Sequence, residues 1–341
     1  MEYNEKVKKI NPASASIIMA LGIFLYAAIE AFPFLDRIML QILTIIFAII
    51  GGIVYKSLTR QILQKEFLVT LLNNPVNSFV MGTWIAGLAV LCEVITKYFP
   101  ELITAMQGIT VLNTCLYIFF IASCVYNFKQ LLERPTDHSP HGVVLLSTVA
   151  TQSLVILWVD MFSFLPDTVI ILAMSLGLVF YILGVRLIIK RYTEHKWSIT
   201  EDWTNSNCII HGALSITGLA LVSSEIMPPL FMLIFWLVVF GVLVGVEVLE
   251  ITRAVKRVRR FGWRKGIFTY NVSQWSRNFT FGMFYAFTMM RHQDPYYLNS
   301  MYDFHAGFLT IWVWVVFFFL AGEIILWIGS KWQSLWTPSS I

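Results

Sequence analysis

Charge is what this chain has least of. Only 13% of its 341 residues are Asp, Glu, Lys or Arg, about half the share expected of a soluble domain. With 57% hydrophobic residues and a mean hydropathy of +0.72, a soluble globule is excluded and a polytopic membrane protein is expected. Cysteine is sparse as well. Cys92, Cys115, Cys124 and Cys208 lie scattered in apolar stretches with no CxxC pair, so neither a disulfide framework nor a zinc site is indicated. HExxH, P-loop and GxSxG motifs are missing, His138 and His141 fall in a loop, and His211 has no metal-ligand partner at helical spacing. No enzyme activity, cofactor or metal is expected. The opening MEYNEKVKKI runs into an apolar segment without a small-residue cleavage pattern, which reads as an uncleaved first span.

Ten apolar segments are present, near 12–33, 37–55, 75–96, 102–126, 141–163, 167–188, 207–224, 227–248, 267–290 and 306–329. Their loops divide the basic residues unequally. Twenty of the 24 Lys and Arg fall at the two chain ends and in the loops after even-numbered segments, including Lys6, Lys8 and Lys9. Arg37, Lys97 and Arg291 fall on the opposite side, and Arg277 alone sits inside a segment. Basic residues collect on the cytoplasmic face, so ten spans with both termini cytoplasmic are expected in a plasma or inner membrane. The formal net charge of +4 is then topological, with anionic headgroups rather than nucleic acid facing RAVKRVRRFGWRKG at 253–266.

The odd-numbered spans begin near Asn11-Pro12, Asn74-Pro75, Ser139-Pro140, Asn205 and Asn271, at steps of 63, 65, 66 and 66 residues. Asn or Ser followed by Pro suits an N-cap and first helical turn. The spacing predicts one membrane domain over 1–341, built of five tandem hairpins at about 11–65, 74–128, 139–192, 205–252 and 267–331. Five parallel hairpins close naturally into a pseudo-fivefold ring. Odd spans carry the polar residues, among them Ser16, Ser147 and Thr151, while even spans are plainer and suit lipid or subunit contacts. The fold expected is therefore all-α, with the odd helices around a central pore. Gly22, Gly82, Gly218 and Gly282 recur at similar depth in four odd spans; singly each suits close packing, but their recurrence favours helix kinks in a bent inner ring.

The most polar span, NVSQWSRNFTFGMFYAFTMM at 271–290, places Gln274, Arg277, Phe281 and Phe284 on one face. That stripe reads as the wall of a water-filled path narrowed by Phe281, whose ring closes the path by dewetting. The alternative is a polar patch buried between helices, with Arg277 paired to Glu247 or Glu250. Glu30, Glu93 and Asp160 are placed toward the outer ends, so the odd-span interiors hold no carboxylate and Arg277 as their only charge. That balance favours an anion over a cation or a proton-coupled substrate.

NFTFGM at 278–283, together with Asn74-Pro75-Val76, Ser139-Pro140 and MALG at 19–22, resembles the tellurite-resistance/dicarboxylate transporter family. It comprises bacterial tellurite-resistance channel homologues, plant slow anion channels, and fungal malate and sulfite transporters. The resemblance covers all ten spans and implies five hairpins around a pore, a homotrimer, and Phe281 as the gating phenylalanine. Gly282 stands where some members have proline, and Arg277 is not part of the pattern. The function expected is passive conduction of small monovalent anions such as chloride and nitrate. The alternative is a secondary transporter or exporter of C4-dicarboxylate, sulfite or tellurite-type anions.

Overall fold

A computed structural model describes residues 10–134, 138–194, 196–297 and 301–336. Lys6, Lys8, Lys9 and both chain ends, placed on the cytoplasmic side from sequence, lie outside the described residues. The regular elements of the described residues are all helices: α1 (Ala15–Tyr26), α2 (Arg37–Ile62), α3 (Lys65–Leu72), α4 (Met81–Tyr98), α5 (Ile103–Glu133), α6 (Leu146–Met161), α7 (Asp167–Glu194), α8 (Ile209–Ser223), α9 (Pro229–Gly266), α10 (Trp275–Gln293) and α11 (Tyr302–Trp336). In lipid every backbone amide must be bonded within its own segment, and helices achieve that.

Nine helical segments of the described residues are long and apolar enough to cross a membrane. The segment around α10 is not among them, because Ser273, Gln274, Ser276, Arg277, Asn278 and Thr280 lower its hydropathy. It is instead enclosed by other helices, with Trp275 and Phe284 fully buried.

α1, α4, α6, α8 and α10 pack side by side in that order, and α10 packs back against α1. Four of the five, α1, α4, α6 and α8, have 67–89% of their apolar windows buried, against 22–28% for α2, α5, α7, α9 and α11. The second group therefore lies outside. α2 sits behind α1 and α4, α5 behind α4 and α6, α7 behind α6 and α8, α9 behind α8, and α11 behind α10 and α1. Their outer faces expose apolar stripes such as Ile38, Ile42, Ile45, Ile49 and Ile53 on α2, the surface that lipid tails or another subunit would cover.

Each inner helix starts with a short 3-10 turn: Pro12–Ser14, Asn77–Val80, Gly142–Leu145, Asn205–Cys208 and Val272–Gln274. Asn11 Oδ1 accepts from the Ala13 amide at 2.8 Å, and Asn74 Oδ1 accepts from Asn77 N at 2.9 Å. Asn271 forms a capping box in which Gln274 Oε1 accepts from the Asn271 amide at 2.7 Å. The third turn is capped by His141 rather than Ser139. These turns are tied to one another. Gly142 N donates to Asn207 Oδ1 at 2.8 Å, and Asn205 Nδ2 donates to Ser273 Oγ at 3.1 Å. Gly142 is required there, since a Cβ would fall 1.8 Å from the Ser206 carbonyl oxygen.

Candidate functional site

The inner helices converge on a space of only about 10 Å3, room for roughly one water. Ile23 of α1, Ala86, Ala89, Val90 and Glu93 of α4, Ser153 and Ile156 of α6, Ile216 and Leu219 of α8, and Phe279 and Met283 of α10 line it. All five inner helices contribute, so this is where they meet. At the far end of the helices, away from the 3-10 turns, a 370 Å3 cavity is lined by Tyr26, Glu30, Glu93, Thr96, Lys97, Asp160, Met161, Met289, Met290 and Gln293. Glu93 borders both spaces.

The stripe read from sequence does not face this meeting point. Phe281 is buried with its ring 5.2 Å from Trp312 and 5.2 Å from Phe319, both on the outer helix α11, and 6.2 Å from His211. Phe284 packs on Trp236 and Phe240 of α9 and Phe308 of α11. Arg277 NH2 lies 2.8 Å from Glu250 Oε2 and its Nε 3.8 Å from Glu247 Oε1, both on α9. Gln274 accepts in its capping box and, with Arg277, lines a 580 Å3 cavity bounded by α9, α10 and α11. These four residues do share a face, but it is turned outward. Phe279, two positions from Phe281, is rotated from it by about 200° on a helix and lies on the inward face with Met283.

This placement bears on three sequence inferences. Phe281 does not border the space where the inner helices meet, which α10 lines with Phe279 and Met283. Nor is Arg277 an uncompensated charge. Glu247 and Glu250 offset it, while Glu250 also accepts from Trp203 Nε1 at 2.9 Å and pairs with Arg253 at 3.3 Å. The paired alternative for Arg277 is the one realised. Glu93, expected toward an outer end, does lie at the far-end cavity, but it is 8% exposed and also borders the inner space.

The hydroxyl residues expected to line a path are satisfied otherwise. Ser16 Oγ donates to the Ala13 carbonyl at 2.7 Å, and Ser147 Oγ to the Val144 carbonyl at 2.7 Å. Thr151 donates to the Ser147 carbonyl at 2.8 Å and accepts from Tyr117 of α5 at 2.9 Å. Such back-bonding is routine within helices, and it means a polar residue need not mark water.

The recurrent glycines are contact points. A Cβ on Gly22 would fall 2.7 Å from Val90 of α4, on Gly82 2.5 Å from the Leu146 carbonyl of α6, on Gly218 2.6 Å from Phe287 of α10, and on Gly282 2.6 Å from Ile23 of α1. Each touches the next helix in the series, which is the close-packing role of small residues. No non-helical residue interrupts α1, α4, α8 or α10; among the described glycines a positive φ occurs at Gly262, within α9.

Sequence reasoning missed Phe279, Met283, Ser153 and the position of Glu93. A usable signal existed in Gly282. Once that glycine is seated on α1, Phe279, Met283 and Ala286 fall on the inward side of α10 by helical geometry.

The family described as voltage-dependent anion channel matches residues 9–328, nearly the whole chain. The chain belongs to that family. The match covers every inner and outer helix and establishes a multi-pass membrane protein of an anion-transporting family. No curated protein matches the chain.

Proposed function

We propose that the chain is a passive anion channel whose path runs between α1, α4, α6, α8 and α10, closed at Phe279 and Met283. The observation that carries this reading is the meeting of all five inner helices on one constriction, within a chain of an anion-channel family. A space of about 10 Å3 admits no hydrated anion, and an unpaired charge beside an aromatic ring in an apolar setting is costly. The constriction is therefore a barrier until Phe279 turns aside. Rotation of one side chain is the smallest motion that opens it.

On this reading α10 is the tenth span, its polarity directed inside the protein. The ten spans form five hairpins in a pseudo-fivefold ring, the 3-10 turns face the cytoplasm with both termini, and the channel sits in the plasma or inner membrane. Three copies assemble through the apolar outer helices. Chloride and nitrate are the substrates expected of a narrow path without a binding cluster for a dianion. A carrier for C4-dicarboxylate, sulfite or tellurite-type anions is the second reading, and Glu93 at the inner space is the observation that favours it.

The deciding experiment is anion current through purified protein in planar bilayers, native against Phe279→Ala. The expected result is little current from the native chain and a large, ohmic, anion-selective current from Phe279→Ala. A silent Phe279→Ala together with malate or sulfite exchange by the native protein in liposomes would establish the carrier reading.

A further inference from the structure

Among the described residues two buried carboxylates of the membrane region, Glu93 and Glu323, have no hydrogen bond or ion pair, and of the two it is Glu93, 8% exposed, that borders the space where the inner helices meet. Glu250, by comparison, has Trp203, Arg253 and Arg277 around it. An ionisable group inside a membrane protein is expensive to keep charged and unpaired, and a functional role is the default expectation for it. Glu93 also occupies a particular place: it lies between the far-end cavity and the constriction and contributes to the walls of both.

The groups around it leave it uncompensated. From the segment following α1, Glu30 faces the far-end cavity, but it is held by Lys97 at 2.6 Å. Lys97 also donates to the Tyr26 carbonyl, so the cation on this wall is already engaged. Asp160 of α6 adds a second carboxylate and Tyr26 a neutral phenol. α10 presents Met289, Met290 and Gln293, and α8 presents Ile216 and Leu219, none of them charged. An anion moving between this cavity and the constriction would pass a bare carboxylate, and like charges repel strongly where the dielectric is low.

We propose that Glu93 is a proton-binding site on the path and that an anion passes it only while the carboxyl carries a proton. The proton enters from and returns to the far-side solution, and the flux of anions rises as that solution is acidified. The proposal rests on the axial path described above.

The test is chloride flux in proteoliposomes from the Phe279→Ala protein, with the far-side solution taken from about pH 8 to about pH 4, alone and combined with Glu93→Gln or Glu93→Asp. Roughly tenfold higher flux at the acid end is expected with Glu93. Glu93→Asp should keep the pH dependence, and Glu93→Gln should be flat at the high level. A Glu93→Gln protein that keeps the native pH profile, or is flat and low, overturns the proposal. The infrared carbonyl band of a protonated carboxyl, titrating in the parent and lost in Glu93→Gln, reads the proton site without any flux. Silence at every pH with that band present would sink the axial path and, with it, the link to anions. Absence of the band would sink the proton site itself.

Discussion

The two faces of α10 differ in an instructive way. The outward face holds Gln274, Arg277, Phe281 and Phe284, and each has found a partner: a cap, two carboxylates, or the aromatic side chains of α9 and α11. The inward face offers Phe279 and Met283 to a nearly closed space. The polar, charged face thus carries structural partners, although Gln274 and Arg277 also border a 580 Å3 cavity, and on the proposed reading the apolar face controls the path. Inside a membrane bundle, polarity marks where hydrogen-bonding and ionic partners are, and water is only one of the possible partners.

The contrast is broken most forcefully at Arg277. Replacing it with Met removes the cation shared by Glu247 and Glu250, leaving Glu250 with Arg253 and Trp203 and Glu247 beside His211, and removing one partner of a buried pair costs about 3 kcal/mol. Arg277→Met should therefore lower the melting temperature in detergent substantially. Placed in the Phe279→Ala protein, it should leave the reversal potential of an imposed chloride gradient unchanged. A shift toward cation selectivity would mean that Arg277 acts on the permeating ion, and the outward face would no longer be merely structural.

Phe281 gives the next largest effect. Its ring fills the space between Trp312, Phe319 and His211, and Phe281→Ala removes those contacts at a cost of about 3 kcal/mol, as for other large buried aromatics. The variant should be less stable than Phe279→Ala yet carry no more current than the native chain. If Phe281→Ala conducted and Phe279→Ala did not, the assignment of the two faces would have to be exchanged.

The limits of the sequence follow from the same residues. The membrane class was legible in the scarcity of charge. The split between plain and polar helices was legible because outer helices such as α2 need only meet lipid, whereas α4 and α6 must bond their neighbours. The grouping of Gln274, Arg277, Phe281 and Phe284 on one face was also legible, since helical spacing alone decides it. The direction of that face was not. It depends on Glu247 and Glu250, carboxylates on a different helix whose rotation the sequence does not specify. Ser147 and Thr151 are uninformative for a simpler reason: their hydroxyls bond carbonyls three or four residues back in the same segment, so their polarity says nothing about the side from which water comes.

The smallest effect, and the finest test of how α10 is seated, lies at Gly282. A methyl group there would meet Ile23 Cγ2 at 2.6 Å. Cγ2 sits on the branched Cβ of Ile23 and moves only with its χ1 or the backbone, so Gly282→Ala should cost about 2 kcal/mol. Ile23 also borders the constriction, which makes the pair informative. Ile23→Ala removes the clashing carbon, so the double variant should regain part of the melting temperature lost by Gly282→Ala, giving a favourable coupling in a double-mutant cycle. A hinge at Gly282 would behave differently: the cost of Gly282→Ala would be the same whatever occupies position 23, because the strain would lie in the backbone rather than in the contact between α10 and α1.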